Sequence, residues 1–239
     1  TADTQLISDS GGVWTSNHRG RGVCYVVWSC KLSDGVKFPS GRPDPIFVFK
    51  GRRVYDPRLD STKDGGDGSH RIDDPSTWEW SNNAALCAYD YARGIFAGDE
   101  PRRVAGLGLP LDLIDEDWVV ASANVCDAEG WTIDGPFEAG SDPAEMLKAF
   151  AEHMAGRVAT RKGRLAIIAG NDWPSSLTIY EDDLAGPVKI KYAREWREAF
   201  NAIKGTYRDA TTNYEGVETN LIVVDAWKEQ DGDQTFEKA

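Results

Sequence analysis

The chain has 239 residues, enough for a sizeable buried core, and a formal net charge of −12 at pH 7. This surplus of carboxylates argues against nucleic acid as a specific partner, because phosphate binding requires a concentration of Lys and Arg. No run approaches the roughly 18 apolar residues of a membrane span, and the first residues lack a signal-peptide pattern. We therefore expect no membrane segment.

Four cysteines are spread along the chain, without a C-x-x-C pair: Cys24, Cys30, Cys87 and Cys126. Their spacing predicts buried thiols of a reducing compartment rather than a disulfide framework or a zinc site. The chain starts with Thr1 instead of Met, and the stretch from Asp231 onwards has no closing element. We expect a piece of a longer or processed protein.

Two apolar runs predict β-strands in the N-terminal part, at residues 23–28 and 46–49. Turn-forming Gly and Pro residues lie between them, which favours a hairpin-like β segment. Cys24 and Cys30 share one face if the first strand is continuous, since their separation is even. An Asp- and Gly-rich loop is expected at residues 59–74.

Apolar residues at three- and four-residue spacing predict three helices in the middle of the chain. The first covers about residues 81–97, with Ser81 as its cap. The second is signalled by Asp115 ahead of a largely apolar run. The third has Asp142 as cap, then proline at the first helical position and glutamate three residues after the cap, and it ends at Gly156.

Strand patterns return in the C-terminal third, where residues 157–168 predict a hairpin with Lys162 and Gly163 as its turn. Further strands are predicted at 177–180, 188–192, 202–207 and 221–224, with a turn or short helix at 181–186. Strands at both ends around a helical middle predict an α+β fold. The predicted domains are a discontinuous β domain of residues 1–75 and 158–239 and a helical insertion of residues 76–157.

The segments Gly51-Arg-Arg-Val-Tyr-Asp-Pro-Arg58 and Trp80-Ser-Asn-Asn-Ala-Ala-Leu-Cys87 are the most informative parts of the sequence. Two shorter segments follow in order, Ala123-Asn-Val-Cys-Asp127 and Phe200-Asn-Ala-Ile-Lys-Gly205. In these motifs the chain resembles the tail-tip proteins of long-tailed bacteriophages and prophages, the family of the lambda tip attachment protein, in the N-terminal hub region. The likeness covers most of the chain, although the loop at residues 59–74 is longer and richer in Asp and Gly than in lambda-like members.

The resemblance implies a structural component of the tail tip or baseplate hub, not an enzyme, with no cofactor. It closes the distal tail tube and links it to host-contacting fibre domains. The family's hub domains are β-barrels or sandwiches with inserted helical parts, so the implied fold is α+β with a discontinuous β-barrel or sandwich hub domain and a helical insertion. The implied partners are further copies of the chain, as a trimer, and the tail tube or distal tail protein.

The resemblance also implies a location in the virion tail tip, after synthesis in the bacterial host cytoplasm. Contact with the host surface is expected of domains outside this chain. The motif residues are carried over as structural, with no catalytic or metal-binding role: Gly51, Val54, Tyr55, Asp56, Pro57, Arg58, Trp80, Asn83, Leu86, Asn124, Cys126, Asp127, Asn201 and Gly205.

Other interpretations stay open. The aspartates of the loop at residues 59–74 are candidate ligands for a hard cation, although their spacing is not that of an EF-hand and a solvated loop is favoured. Nine tryptophans are compatible with a carbohydrate-binding module, although packing in the core and at subunit interfaces explains them better. Paired carboxylates are compatible with a cell-wall glycan hydrolase, but 39 acidic residues make a pair uninformative. His18, His70 and His153 fit no catalytic pattern and are expected at the surface or locally hydrogen-bonded.

Overall fold

A computed structural model of the chain describes residues 3–18, 25–28, 30, 41–97, 102–136, 140–175, 177–187 and 200–238. Backbone contacts divide the chain into two compact units: unit 1 is Thr1–Pro43 with Val48–Trp173, and unit 2 is Asp44–Phe47 with Pro174–Ala239. The predicted partition into residues 1–75 with 158–239 and 76–157 stays a prediction.

In the described residues of unit 1 there are four α-helices and three strand pairs. Its elements are α1 Thr4–Asp9, β1 Arg53–Val54, β2 Glu79–Trp80, α2 Ala84–Arg93, β3 Ile95–Ala97, β4 Arg102–Ala105, α3 Glu116–Glu129, α4 Pro143–His153, β5 Arg157–Arg161 and β6 Arg164–Ile168. The pairs β1–β2, β3–β4 and β5–β6 are all antiparallel. Among the described residues, no helix is long and apolar enough to cross a membrane.

The core of unit 1 forms around α2, which packs against α3, α4 and β6. Eight of the ten residues of α2 are buried, five of them alanines or leucine, so the neighbouring elements approach its backbone closely. The largest fully buried apolar side chains include Tyr55, Leu86, Tyr89 and Ile167. Tyr55 comes from the loop between β1 and α2, so this loop belongs to the core.

The predicted helices form, with corrected ends. The first is shorter than the predicted 81–97, because Gly94 has φ +98° and turns the chain into β3. The third begins at Pro143 behind the cap Asp142, whose carboxylate accepts a hydrogen bond from the Ala144 N–H. It ends at His153, earlier than the predicted Gly156.

The β5–β6 hairpin confirms the predicted turn. Arg157 pairs with Ile168 at one end and Arg161 with Arg164 at the other. Lys162 and Gly163 lie between the strands with φ +49° and +78°. A two-residue turn of this kind requires positive φ at both positions, and it matches the twist of the strands.

Several predicted strands are absent where the structure describes their residues. Residues 25–28, 46–49 and 177–180 have no strand pairing, so these predictions are wrong there. Residues 23–24 and 188–192 lie outside the described part, as does Cys24. The physical reason is that β propensity reflects packing on a half-buried surface, whereas most side chains in these runs are exposed.

The described residues of unit 2 form small sheets and one short α-helix. Its elements are β7 Ala202–Ile203, β8 Thr206–Arg208, β9 Gly216–Glu218, β10 Ile222–Val223, α5 Asp225–Gln230 and β11 Glu237–Lys238. Strand β7 pairs antiparallel with β10 and parallel with β11, and β8 pairs with β9. The predicted strand at 202–207 is therefore two strands, and the turn or short helix predicted at 181–186 is a 3-10 turn at Glu181–Asp183.

The fold is a mixture of helices and small, mostly antiparallel sheets, as the α+β prediction requires. The strands that the structure describes form one three-stranded sheet and four two-stranded sheets, and none of these closes into a barrel.

Candidate functional site

Arg58 is the centre of a polar network that joins three of the sequence motifs. It follows Asp56 and Pro57, which begin a short 3-10 turn. Its Nε and Nη2 atoms donate to the carboxylate of Asp56, with the shortest contact at 2.7 Å. Its Nη1 atom donates to Asn124 Oδ1 at 2.8 Å and to Asp127 Oδ2 at 2.7 Å, both on α3.

The charge state of Arg58 is set by these partners. Burial disfavours its guanidinium charge, but the hydrogen bonds that it donates to Asp56 and Asp127 outweigh burial and raise the pKa of Arg58. The Asp56 side chain is only 9% exposed, whereas that of Asp127 is 57% exposed. The inner half of the network is therefore the stronger one, because an exposed ion pair is screened by water.

Asn83 connects the same network to the start of α2. Its Oδ1 accepts hydrogen bonds from the N–H groups of Ala85 and Leu86, so Asn83 is the cap of α2 and the predicted cap, Ser81, is not. Its Nδ2 donates to the Ala123 carbonyl and to Asp127 Oδ1 at 2.7 Å. One asparagine thus fixes the N-terminus of α2 against α3.

A second network orders the Asp- and Gly-rich loop. Asp60 is 1% exposed and accepts hydrogen bonds from Tyr55 Oη, from Thr62 and from Arg71. Desolvation works against its charge, but the bonds from Thr62 and Tyr55 and the charge of Arg71 outweigh it and lower the pKa of Asp60 to about 2. Residues 59–74 were expected to form a solvated loop, and for Asp60, which is buried, this expectation is wrong.

His70 is also buried, at 3% exposure, and its Nδ1 accepts a hydrogen bond from the Asp56 N–H. This agrees with the local hydrogen bonding predicted for it. The other aspartates of the loop, including Asp64, Asp67 and Asp73, are exposed. In the described parts of the chain, no three His, Cys, Asp or Glu side chains come together as a metal site would require.

Arg93, at the end of α2, lies over three aromatic rings. Its guanidinium carbon is 4.9 Å from the ring centre of Trp78, 5.3 Å from that of Tyr55 and 5.5 Å from that of Tyr89. Tyr89 donates to Glu116 on α3, and burial together with this bond raises the pKa of Tyr89. These contacts tie the loop, α2 and α3 into one rigid cluster.

Arg52 is attached to α2 by an ion pair with Asp90. Its Nε is 2.8 Å from Asp90 Oδ2. Asp90 is 4% exposed, and its Oδ1 has no hydrogen-bond partner among the described residues. Burial raises the pKa of Asp90, against the charges of Arg52 and Arg93. The segment of residues 51–58 therefore contacts α2 at a buried carboxylate, one oxygen of which has no hydrogen-bond partner among the described residues.

An open depression of about 600 Å³ lies beside the β1–β2 pair. Its lining residues are Lys50, Gly51, Arg53, Ser76, Thr77, Trp78, Glu79 and Trp80. The Lys50 ammonium is 5.1 Å from the ring centre of Trp80, which is 38% exposed. Arg53 pairs directly with Trp80 across the two strands. The lining thus combines two cations, the carboxylate of Glu79, two hydroxyl groups and two indoles, of which that of Trp78 is buried.

The structure brings most predicted motif residues together and separates a few. Those in or directly beside the Arg58 network and the core of unit 1 are Val54, Tyr55, Asp56, Pro57, Arg58, Asn83, Leu86, Asn124, Cys126 and Asp127. Gly51 and Trp80 are exposed at the depression. Asn201 and Gly205 belong to unit 2, where Asn201 is buried and donates to Asp231 and to the Gln234 carbonyl.

Sequence reasoning missed Arg71 of the Asp60 network and Arg93 and Glu116 of the aromatic cluster, and it considered Asp60 only as a candidate cation ligand. Only Arg93 carried a signal, since it lies four residues after Tyr89 on the same helix face. The three described cysteines have free thiols, and Cys126 is buried while Cys30 and Cys87 are half-buried.

No protein-family model matches this chain, and no curated protein is significantly similar to it. The functional assignment therefore depends on the motifs and on their geometry.

Proposed function

We propose that this chain is a structural component of a bacteriophage or prophage tail tip, in the baseplate hub that closes the distal tail tube and links it to host-contacting domains. Its work is assembly. It packs against further copies of itself, as a trimer, and against the tail tube or distal tail protein, and it is located at the virion tail tip.

The observation that carries the proposal is the convergence of the motifs on Arg58. Residues 56–58, Asn83 and residues 123–127 belong to the motifs that resemble tail-tip proteins. Hydrogen bonds join Arg58 to Asp56, Asn124 and Asp127, and Asn83 to Ala123 and Asp127. A set of unrelated matches has no reason to meet in one network. The carboxylates of this network accept hydrogen bonds from Arg58 and Asn83, and these bonds stabilise the fold of unit 1.

Unit 2 supports an assembly role by its exposed apolar side chains. Of its described residues, only Asn201 and Ala202 are buried. Large apolar side chains are exposed instead, such as Leu177 at 72%, Ile222 at 61% and Trp227 at 51%. A unit with so little buried apolar surface gains stability when partner chains cover it. We propose that the discontinuous β-barrel or sandwich of the hub is completed in the assembled tail.

The decisive experiment determines where the protein lies in tailed particles. Antibodies raised against the purified chain are applied to tailed particles from an induced culture of the source bacterium, and gold-labelled secondary antibody is viewed by negative-stain electron microscopy. We expect gold at the distal end of the tail. Label on the capsid, or particles without label although the antibodies detect the protein in the culture, would refute the proposal.

Light scattering tests the oligomer separately. Over a range of concentrations we expect a mass approaching three times the 26.3 kDa of the chain. A strictly monomeric chain would show that residues 1–239 do not contain the ring-forming contacts. Release of sugar from bacterial cell walls by the purified chain would instead favour the glycan-hydrolase alternative.

A further inference from the structure

The depression beside β1 and β2 has three side chains on one face. Arg53 and Trp80 are direct partners in the antiparallel register, so their side chains are on the same side of the pair. Lys50 reaches the same indole from the preceding segment. Glu79 also lines the depression, but it neighbours Trp80 on β2, and successive side chains on a strand point to opposite faces.

The two cations on this face lack acidic partners. Neither Lys50 nor Arg53 forms an ion pair with any residue that the structure describes, although the chain has a net charge of −12. Arg52, the neighbour of Arg53, is by contrast paired with Asp90. Two exposed cations without an ion pair in the described part of the chain lie beside an exposed indole, and such a local positive patch attracts an anionic ligand.

The shape and the indole decide what kind of anion fits. The volume of about 600 Å³ lies within the range of small-ligand sites. The N–H of Trp80 has no acceptor among the described residues, and an aromatic face with a polar edge suits the apolar face and the hydroxyls of a sugar ring. An arginine fork matches a carboxylate in two hydrogen bonds.

We propose that this depression is a binding site for a saccharide that carries a carboxylate, such as a uronic acid. Its ring packs on Trp80, and its carboxylate binds Arg53 and Lys50. The ammonium of Lys50 exchanges its contact with the indole for the carboxylate, which is the stronger partner for a cation at an exposed position. The proposal does not depend on the assembly role.

Other ligand classes fit less well. A nucleic acid needs a longer basic track than two side chains on an acidic chain. A peptide that extends the sheet needs a strand edge, and β1 and β2 have only two residues each. An apolar small molecule needs an apolar lining, whereas most of the side chains here are charged or carry hydroxyl groups.

The experiment is calorimetric titration of the chain with trigalacturonate. Methyl-esterified trigalacturonate serves as the neutral control with the same rings, and triglutamate as the acidic control without rings. We expect trigalacturonate to bind with a Kd of about 1 mM or tighter, and both controls to bind at least about tenfold more weakly. Absence of binding, or equal binding of triglutamate, would overturn the proposal, the second outcome in favour of an acidic peptide.

Variants test the position of the site. The double variant Lys50→Ala/Arg53→Ala is expected to lose at least about tenfold in affinity, because it removes both partners of the carboxylate. The matched control is Arg157→Ala/Arg164→Ala, which removes two exposed cations of the β5–β6 hairpin and keeps the affinity within about twofold. Equal losses in the two double variants would mean that trigalacturonate responds only to net charge, and would refute the site.

Trp80→Phe and Trp80→Ala separate ring contact from folding. Far-UV circular dichroism and thermal unfolding first establish that each variant is folded. We expect Trp80→Phe to bind more tightly than Trp80→Ala, since a ring remains for the sugar face. If the folded Trp80→Ala variant binds trigalacturonate like the unmodified chain, the indole is not part of a sugar site.

Discussion

Replacing Arg58 with methionine removes the guanidinium but keeps an unbranched side chain, so it isolates the polar function of this residue. The variant leaves Asp56, which is 9% exposed, without its ion-pair partner. Removal of one partner of a buried pair costs about 3–5 kcal/mol, while the exposed pair with Asp127 is worth about 1 kcal/mol or less. Asp56 still accepts a hydrogen bond from the backbone N–H at position 58, which reduces the cost.

We therefore expect Arg58→Met to lower the free energy of unfolding by about 3 kcal/mol, which corresponds to a fall in Tm of about 6–12 °C for a chain of this size. The assay is urea unfolding followed by circular dichroism and tryptophan fluorescence. The control is Arg157→Met, an exposed position on β5, with an expected change within about 0.5 kcal/mol.

A double-mutant cycle identifies the cause of the loss. If the unpaired charge of Asp56 is responsible, Arg58→Met combined with Asp56→Asn is less destabilised than the sum of the single variants, by about 1–2 kcal/mol. The reasoning fails if Arg58→Met is no more destabilised than Arg157→Met, or if the double variant shows the full sum.

Three further predictions concern the loop and a thiol. Gly68→Ala is expected to lower the free energy of unfolding by about 2 kcal/mol, because the added Cβ overlaps the carbonyl oxygen of Leu59. The control Gly51→Ala places its Cβ in open space, and its free energy of unfolding in urea should change by less than about 0.5 kcal/mol. Equal changes in the two variants would contradict the placement of the loop. The lowered pKa of Asp60 contributes stability that is complete above its ordinary pKa of 3.8 and is lost as the pH falls through about 2. The stability difference between the unmodified chain and Asp60→Asn, measured by urea unfolding, should therefore shrink from pH 4 to pH 2, and a constant difference would argue against the shift. Burial first, and then the charge of Asp90, raise the pKa of Cys87 to about 12, so its alkylation by iodoacetamide at pH 8, followed by mass spectrometry, should be at least about tenfold slower than in denaturant, and comparable rates would contradict the raised pKa.

Short sequence patterns correctly predicted the start of a helix and the turn of a hairpin, because both depend on residues that are neighbours in the sequence. The cap at Asp142 with proline behind it placed the start of α4, and Lys162 with Gly163 placed the β5–β6 turn. These predictions succeed because the hydrogen bonds of a cap and the φ values of a turn involve residues a few positions apart. The strand predictions at residues 23–28, in the described part 25–28, and at residues 46–49 failed because a strand needs a partner, which an apolar run alone does not specify.

The sequence by itself determined the helices α2, α3 and α4 in the middle of the chain, the β5–β6 hairpin and the positions of the motifs. Only the tertiary structure decided what the motif residues do. Arg58 meets Asn124 and Asp127 across 66 and 69 residues. Asp60 is buried and held in its charged form, although its surroundings in the sequence are those of a solvated loop. The physical reason is that burial and ion pairing arise between segments far apart in the chain, where composition and periodicity carry no information about which groups meet.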